Sequence, residues 1–254
     1  MTKRVMILGG TTEARELAEF LVSRGVEVLI SLSGATERPA DLPGTIRRGG
    51  FGGPQGMAAV LAEHRIAALV DATHPFAARI TANAVWAADT ADCPLLLLRR
   101  PPWVAPPGAD WRHFDTLPAA VEALPHGACA LMATGSGSAP ALAGRSDVRF
   151  ILRSIEPVPG LPPHATNILA RPPFPMEAER ELLIEHGISH LVTRNSGGQS
   201  GTAKLRAAAD LDLRVFVVDR PPPPEGAETA ETVPSALDWL AALHLLDTPS
   251  DRTP

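Results

Sequence analysis

The chain has 254 residues, 45% of them hydrophobic and 20% charged, and a net charge of −5. That suits one large or two modest globular domains, without the basic excess of a general nucleic-acid or membrane-surface protein. No apolar run approaches the ~20 residues of a membrane span, no secretory leader is visible, and Cys93 and Cys129 stand too far apart for a zinc knuckle or a disulfide framework, so a cytoplasmic protein with reduced core cysteines is expected. Tyrosine is absent, which excludes the Tyr-x-x-x-Lys pair of short-chain dehydrogenases, and lysine occurs only at Lys3 and Lys204.

Val5-Met6-Ile7-Leu8 reads as a buried strand that runs into Gly9-Gly10-Thr11-Thr12-Glu13 and then into a helix over Ala14 to Arg24. The first turn of a helix leaves backbone N–H groups unpaired and carries partial positive charge, so this junction suits a phosphate. Glycine lets the backbone approach a ligand, and threonine hydroxyls can cap the helix and donate to phosphate oxygens. The stretch lacks the third glycine of G-x-G-x-x-G, so an ordinary strand–helix turn stands beside the nucleotide reading. Gly25 caps the helix, and Val26 to Ser31 forms a second strand. In NAD-binding units an acid stands about 20 residues past the glycines and takes the ribose 2′-hydroxyl. Here the strand ends Ser31-Leu32-Ser33-Gly34, followed by Thr36 and Arg38. Hydroxyls and a cation hold a 2′-phosphate that an acid would repel, which favours NADPH over NADH; a polar surface loop is the alternative.

Thr45 to Arg48 is a short strand, and Gly49-Gly50-Phe51-Gly52-Gly53 a flexible loop over a ligand. A helix over Gln55 to His64 leads to the buried strand Ala67 to Asp71, which ends in Asp71-Ala72-Thr73-His74-Pro75-Phe76-Ala77. Residues just past strand C-termini line the crevice of a doubly wound sheet, which makes Thr73 and His74 site candidates. A helix from Phe76 to Ala88 and a strand from Pro94 to Arg100 close a first domain over residues 1–100. Residues 101–115, rich in proline and tryptophan, read as a linker. The β/α alternation then restarts and runs to residue 246 as a second domain, with 247–254 a flexible tail. Its strands are Cys129 to Ala133, Val148 to Ile155, Asn167 to Ala170, His190 to Thr193 and Val215 to Val218. Its helices run over Leu117 to Leu124, Met176 to Glu185, Thr202 to Asp210 and Pro234 to Leu246. The expected architecture is α/β: two Rossmann-like domains with mostly parallel sheets covered by helices, and a ligand cleft between them.

In the second half Arg153, Arg171, Arg194 and Arg220 recur at or just past strand ends. Any one of them reads equally well as a solvated surface charge, but their recurrence puts cations on one rim, where guanidinium groups grip carboxylates or phosphates. Arg194-Asn195-Ser196-Gly197-Gly198 combines cation, amide, hydroxyl and a glycine nest ahead of a helix. A polyanionic substrate follows. No G-x-S-x-G elbow or Walker lysine is present, Gly187 breaks the helix that would align His186 with His190, and no metal site is expected.

Three motifs occur here in one order: Ile7-Leu8-Gly9-Gly10-Thr11-Thr12-Glu13-Ala14-Arg15, Asp71 to Ala77 as given above, and Val192-Thr193-Arg194-Asn195-Ser196-Gly197-Gly198 with Lys204. Together they resemble the precorrin-6A reductase family of cobalamin biosynthesis, from Val5 to about Leu246. The second half departs from the family pattern at Arg194, where lysine is more usual, and at Pro172, which stands in place of a glycine. The resemblance implies NADPH-dependent reduction of a ring double bond in precorrin-6A, giving precorrin-6B, with a tetrapyrrole substrate. The sequence leaves the oligomeric state open; a monomer, with transient contact to neighbouring pathway enzymes, is the expectation. Gly9, Gly10, Thr11, Thr12 and Glu13 would then hold the pyrophosphate and adjacent ribose. Ser31, Ser33 and Arg38 would face the 2′-phosphate, and Thr73, His74 and Pro75 the nicotinamide half. Arg153, Arg171, Arg194, Asn195, Ser196, Gly197 and Lys204 would face the substrate. No proton donor stands out; His74, Ser196 and Lys204 are the candidates. The competing functions are a reductase of another polyanion, such as the cobalt-containing precorrin, and a non-catalytic NADPH-binding sensor.

Overall fold

Strand β1 (Arg4–Leu8) alternates its side chains between two apolar environments: Val5 and Ile7 belong to one buried cluster, Met6 and Leu8 to another. A strand buried on both faces belongs inside a parallel sheet with helices on either side, and that is how the computed structural model, which describes residues 4–33, 42–199 and 201–246, builds it. β2 (Glu27–Leu32), β3 (Thr45–Arg48), β4 (Ile66–Asp71) and β5 (Leu95–Leu98) pair parallel in the order β5-β4-β1-β2-β3. Helix α1 (Thr12–Ser23) buries Leu17 and Leu21 on one face of the sheet. α2 (Pro54–Glu63) and α3 (Ala78–Thr90) bury Met57, Leu61, Ala84 and Ala87 on the other. Each fully buried leucine of this kind contributes about 1.5–3 kcal/mol.

The chain divides into two compact units, Met1–Arg100 with Pro221–Pro254 and Pro101–Arg220. The second repeats the plan of the first. β6 (Trp111–Phe114), β7 (Cys129–Ala133), β8 (Arg149–Ser154), β9 (Ala165–Leu169), β10 (His190–Arg194) and β11 (Arg214–Val218) form a parallel sheet in the order β6-β11-β10-β7-β8-β9. α6 (Met176–Glu185) and α7 (Thr202–Asp210) pack Leu183, Leu205 and Ala208 against Leu131, Ile151 and Leu191. α4 (Leu117–Glu122) packs on β6 and β11, and the short α5 (Ala139–Leu142) follows β7.

Beyond Arg220 the chain returns to the first unit. β12 (Glu228–Ala230) pairs parallel with β5 as that sheet's sixth strand, and α8 (Val233–Ala242) buries Ala236 and Leu240 in the same cluster as α1. The sequence reading therefore needs two corrections. The second unit ends at Arg220 rather than 246, because Leu96 and Leu98 of β5 are covered by α8. Residues 101–115 are not a plain linker, since Trp111–Phe114 forms the edge strand of the second sheet. The α/β architecture with parallel sheets holds throughout.

Candidate functional site

In the first unit the strand order reverses beside β1, whose chain neighbour β2 lies on one side and β4 on the other. Leu8 pairs with Ser31 on β2 and with Asp71 on β4, so three strands end level at this switch point. Ligands of doubly wound sheets bind in the crevice outside such strand ends. A cavity of about 810 Å³ opens there, walled by Gly9, Gly10, Ser31, Ser33, Thr73 and His74 with the glycine-rich turn of residues 49–53. Every one of those six is a residue singled out from sequence. The described lining carries no Asp or Glu, and its charged member is Arg79 at the start of α3. Gly9 is fixed by close packing: a Cβ there would lie 3.1 Å from Ile30 Cγ2 and 3.3 Å from Leu32 Cδ2.

Other candidates support the cavity from behind. Thr11 is the N-cap of α1: its hydroxyl accepts from the Ala14 amide at 3.1 Å and donates to the Ala72 carbonyl at 2.7 Å. That ties the start of α1 to the end of β4 and commits the hydroxyl expected to meet phosphate. Thr12 is exposed in the first helical turn. Glu13 is ion-paired with Arg100 at 2.7 Å, so its carboxylate is held by a cation. Asp71, buried, accepts from the Thr73 amide at 3.0 Å, from the Thr73 hydroxyl at 2.6 Å and from the Thr81 hydroxyl at 2.6 Å. This network sets the turn that presents His74. Nδ1 of His74 accepts from the Phe76 amide at 3.3 Å, which in a neutral ring places the proton on Nε2, and the side chain is exposed at the cavity wall. Pro75 is buried.

Arg38 lies outside the described residues. A cation missed from sequence stands nearby instead. Arg47 on β3 is the register partner of Ser31; its Nη1 lies 3.4 Å from Ser31 Oγ and donates to the Gly49 carbonyl at 2.7 Å, and its Nη2 donates to the Gly50 carbonyl at 2.8 Å.

In the second unit the order reverses beside β7, between β8 and β10. β7 leads into the turn Thr134 to Ser138, where the two terminal hydroxyls are hydrogen-bonded at 2.6 Å. Arg194 at the end of β10 is partly buried, and burial lowers its pKa from the usual value. The expected rim of strand-end arginines is only partly there. Arg153 is bound on both nitrogens to the buried carboxylate of Glu179 at 2.8 Å and stacks 3.7 Å above Phe174, so it builds the rim rather than presenting charge. Arg171, after β9, is exposed. Asn195 is a buried clamp: Oδ1 accepts from the Trp103 amide at 2.7 Å and Nδ2 donates to the Trp103 carbonyl at 3.1 Å. Gly197 has a φ of +67°, and a Cβ would fall 2.0 Å from the Pro101 carbonyl oxygen. Lys204 is buried; its amine donates to the Gly201 carbonyl at 3.0 Å and lies 4.6 Å over the Trp103 ring. Burial pushes that amine down to about 8, with Glu179 opposing the shift and Arg153 adding to it. Ser196, half-buried, follows Arg194 on the same turn.

Two parallel sheets of six strands, one with a glycine-walled cavity at its switch point, define a Rossmann-like α/β protein. A family model described as precorrin-6x reductase CbiJ/CobK matches residues 4–241, and the chain belongs to that family of oxidoreductases. It is 44% identical over 243 residues to "Precorrin-6A reductase" of Rhodococcus erythropolis, covering 94% of this chain and 98% of the relative. To the protein of the same name from Rhodobacter capsulatus it is 39% identical, covering 94% and 96%. A solved structure described as "CobK precorrin-6A reductase" superposes with a TM-score of 0.90 at 38% identity, covering 95% of this chain and 97% of that one. No helix among the described residues is long and apolar enough to cross a membrane.

Proposed function

We propose that this chain reduces a ring double bond of precorrin-6A to give precorrin-6B, in cobalamin biosynthesis, with NADPH as reductant. The observation that carries the reading is the cavity over the ends of β1, β2 and β4, whose described lining holds no acid, in a chain that matches a reductase family over nearly its full length. The residues fit a dinucleotide phosphate: closely packed glycine backbone, helix amides and serine hydroxyls, with no carboxylate among the described lining residues. When bound, NADPH supplies the hydride. Gly9, Gly10 and the first turn of α1, with Thr12, offer backbone donors to the pyrophosphate. Thr11 and Glu13 fix that turn through Ala72 and Arg100. Ser31 and Ser33 take the 2′-phosphate side. Thr73, His74 and Pro75 shape the wall at the reacting half, and Nε2–H of His74 is the proton-donor candidate.

In the second unit Arg194, Ser196 and Arg171 meet substrate carboxylates. Arg153, Asn195, Gly197 and Lys204 hold the shape of that rim through Glu179, Trp103 and Pro101. Holding the acceptor carbon in contact with the hydride donor and excluding water accounts for the catalysis asked of the protein. Anaerobic incubation with NADPH and precorrin-6A, followed by mass analysis of the pigment, tests the reading. A gain of two hydrogens is expected; unchanged pigment mass with NADPH bound to the protein contradicts the substrate assignment.

A further inference from the structure

We propose that Arg47 is the 2′-phosphate anchor of the first unit and sets its preference for NADPH over NADH. This rests on the dinucleotide reading above and names the side chain that enforces it.

The sheet fixes the position. In a doubly wound sheet the adenosine ribose lies beyond the end of the second strand, where an NAD-binding unit places its acid. Here β2 ends in Ser31-Leu32-Ser33, with both serines in the cavity wall and no carboxylate among them. β3 pairs with β2 in parallel, and Arg47 lies opposite Ser31. Its guanidinium contacts four residues that line the cavity: Ser31 at 3.4 Å, the Gly49 and Gly50 carbonyls at 2.7 and 2.8 Å, and the Phe51 ring with its centroid 4.0 Å from Cζ.

These contacts hold the guanidinium in one place before a ligand arrives. A planar cation stacked on an aromatic ring and hydrogen-bonded to two carbonyls has lost most of its rotamer freedom, so little more is lost on binding. The group carries five N–H donors, more than these contacts use, in a fork that matches phosphate oxygens. Ser31 adds a hydroxyl beside it. Among the described residues the neighbouring cations are placed differently: Arg48, next along the strand, falls on the opposite side by strand alternation. Arg79 lines the cavity from α3, on the β4 side of the switch point and away from the ribose end.

The test is equilibrium binding of NADPH and NADH, followed by nicotinamide fluorescence, to the wild-type chain, Arg47→Ala and Arg47→Lys, with 2′,5′-ADP and 5′-AMP as competitors. The wild type should favour NADPH and 2′,5′-ADP. Arg47→Ala should weaken both by about tenfold to hundredfold, the worth of one charge-assisted contact, while NADH and 5′-AMP change by less than about threefold. Arg47→Lys, which keeps the charge without the fork, should fall between them and supplies the same ratio where the alanine variant does not fold. Equal weakening of both nucleotides would make Arg47 a brace for the glycine turn and overturn the proposal, as would an unchanged ratio; the dinucleotide reading survives either result. A wild type that binds neither nucleotide overturns both.

Discussion

Lys204 shows how a single side chain can be held against its own chemistry. Its amine is buried over Trp103 with one neutral acceptor, the Gly201 carbonyl, and burial lowers its pKa from 10.5 to about 8. Below about pH 8 the folded chain keeps a buried charge, a cost of about 3 kcal/mol for a shift of this size. Between about 8 and 10.5 the folded chain has released a proton that the unfolded chain still holds, so this group's contribution to stability rises with pH. Urea titrations of the wild type and Lys204→Met over that window should show the wild type gaining on the variant as pH rises; parallel curves would contradict the burial of the charge. At this scale the sequence revealed where candidates lie, and much less what each one does. Residue type and strand-end position brought Gly9, Ser31, Thr73 and His74 to one cavity. They could not show that Thr11 spends its hydroxyl on Ala72, or that Arg153 is neutralised by Glu179, because those partners lie 61 and 26 residues away in sequence. Arg47 was overlooked for the converse reason: only the β2–β3 register puts it beside Ser31.

The turn after β10 makes the same point for a whole element. The stretch Arg194 to Gly198 reads from sequence as an anion nest, and in the structure it also clasps the segment around Pro101 to Trp103. Asn195 bonds both backbone groups of Trp103, and the Trp103 indole donates to the Gly198 carbonyl at 2.7 Å. Gly197 allows the approach, with positive φ and the Pro101 carbonyl where a Cβ would stand. Gly197→Ala should therefore destabilise the second unit by about 2 kcal/mol or more. Gly144→Ala, whose added methyl meets nothing within 4 Å, should stay within about 0.5 kcal/mol. Equal denaturation midpoints for the two variants would contradict this packing. Central elements were legible because strands buried on both faces are apolar throughout, as in Leu95–Leu98 and Val215 to Val218. Of the four edge strands, β3 and β9 were read as strands from sequence, but β6 and β12 were not. Trp111–Phe114 carries Arg112 and His113, and Glu228–Ala230 is three residues with no apolar run. An edge pairs on one side only, so its composition need not announce it.

Across the whole molecule both sheets carry the same strand order, and each takes its sixth strand from outside its run of five: β6 precedes β7, and β12 follows the entire second unit. The second unit is thus an insertion in the first, joined at Arg100–Pro101 and Arg220–Pro221. The proline run Pro221 to Pro224 marks the return visibly, yet a uniform β/α alternation gives no sign that the last strand and helix belong to the first sheet. This repeated plan gives the chain two switch points, one glycine-walled and without an acid among its described lining residues, the other with Arg194 and Ser196 at its strand end. The central claim is that a nicotinamide dinucleotide phosphate held at the first reduces a polycarboxylate tetrapyrrole. The most direct test follows absorbance at 340 nm together with the pigment spectrum when the purified chain, NADPH and precorrin-6A are mixed without oxygen. Coupled loss of NADPH and a shift of the pigment band, with NADH much slower, is the predicted result. NADPH that binds while neither spectrum moves, for precorrin-6A and its cobalt form alike, would contradict it.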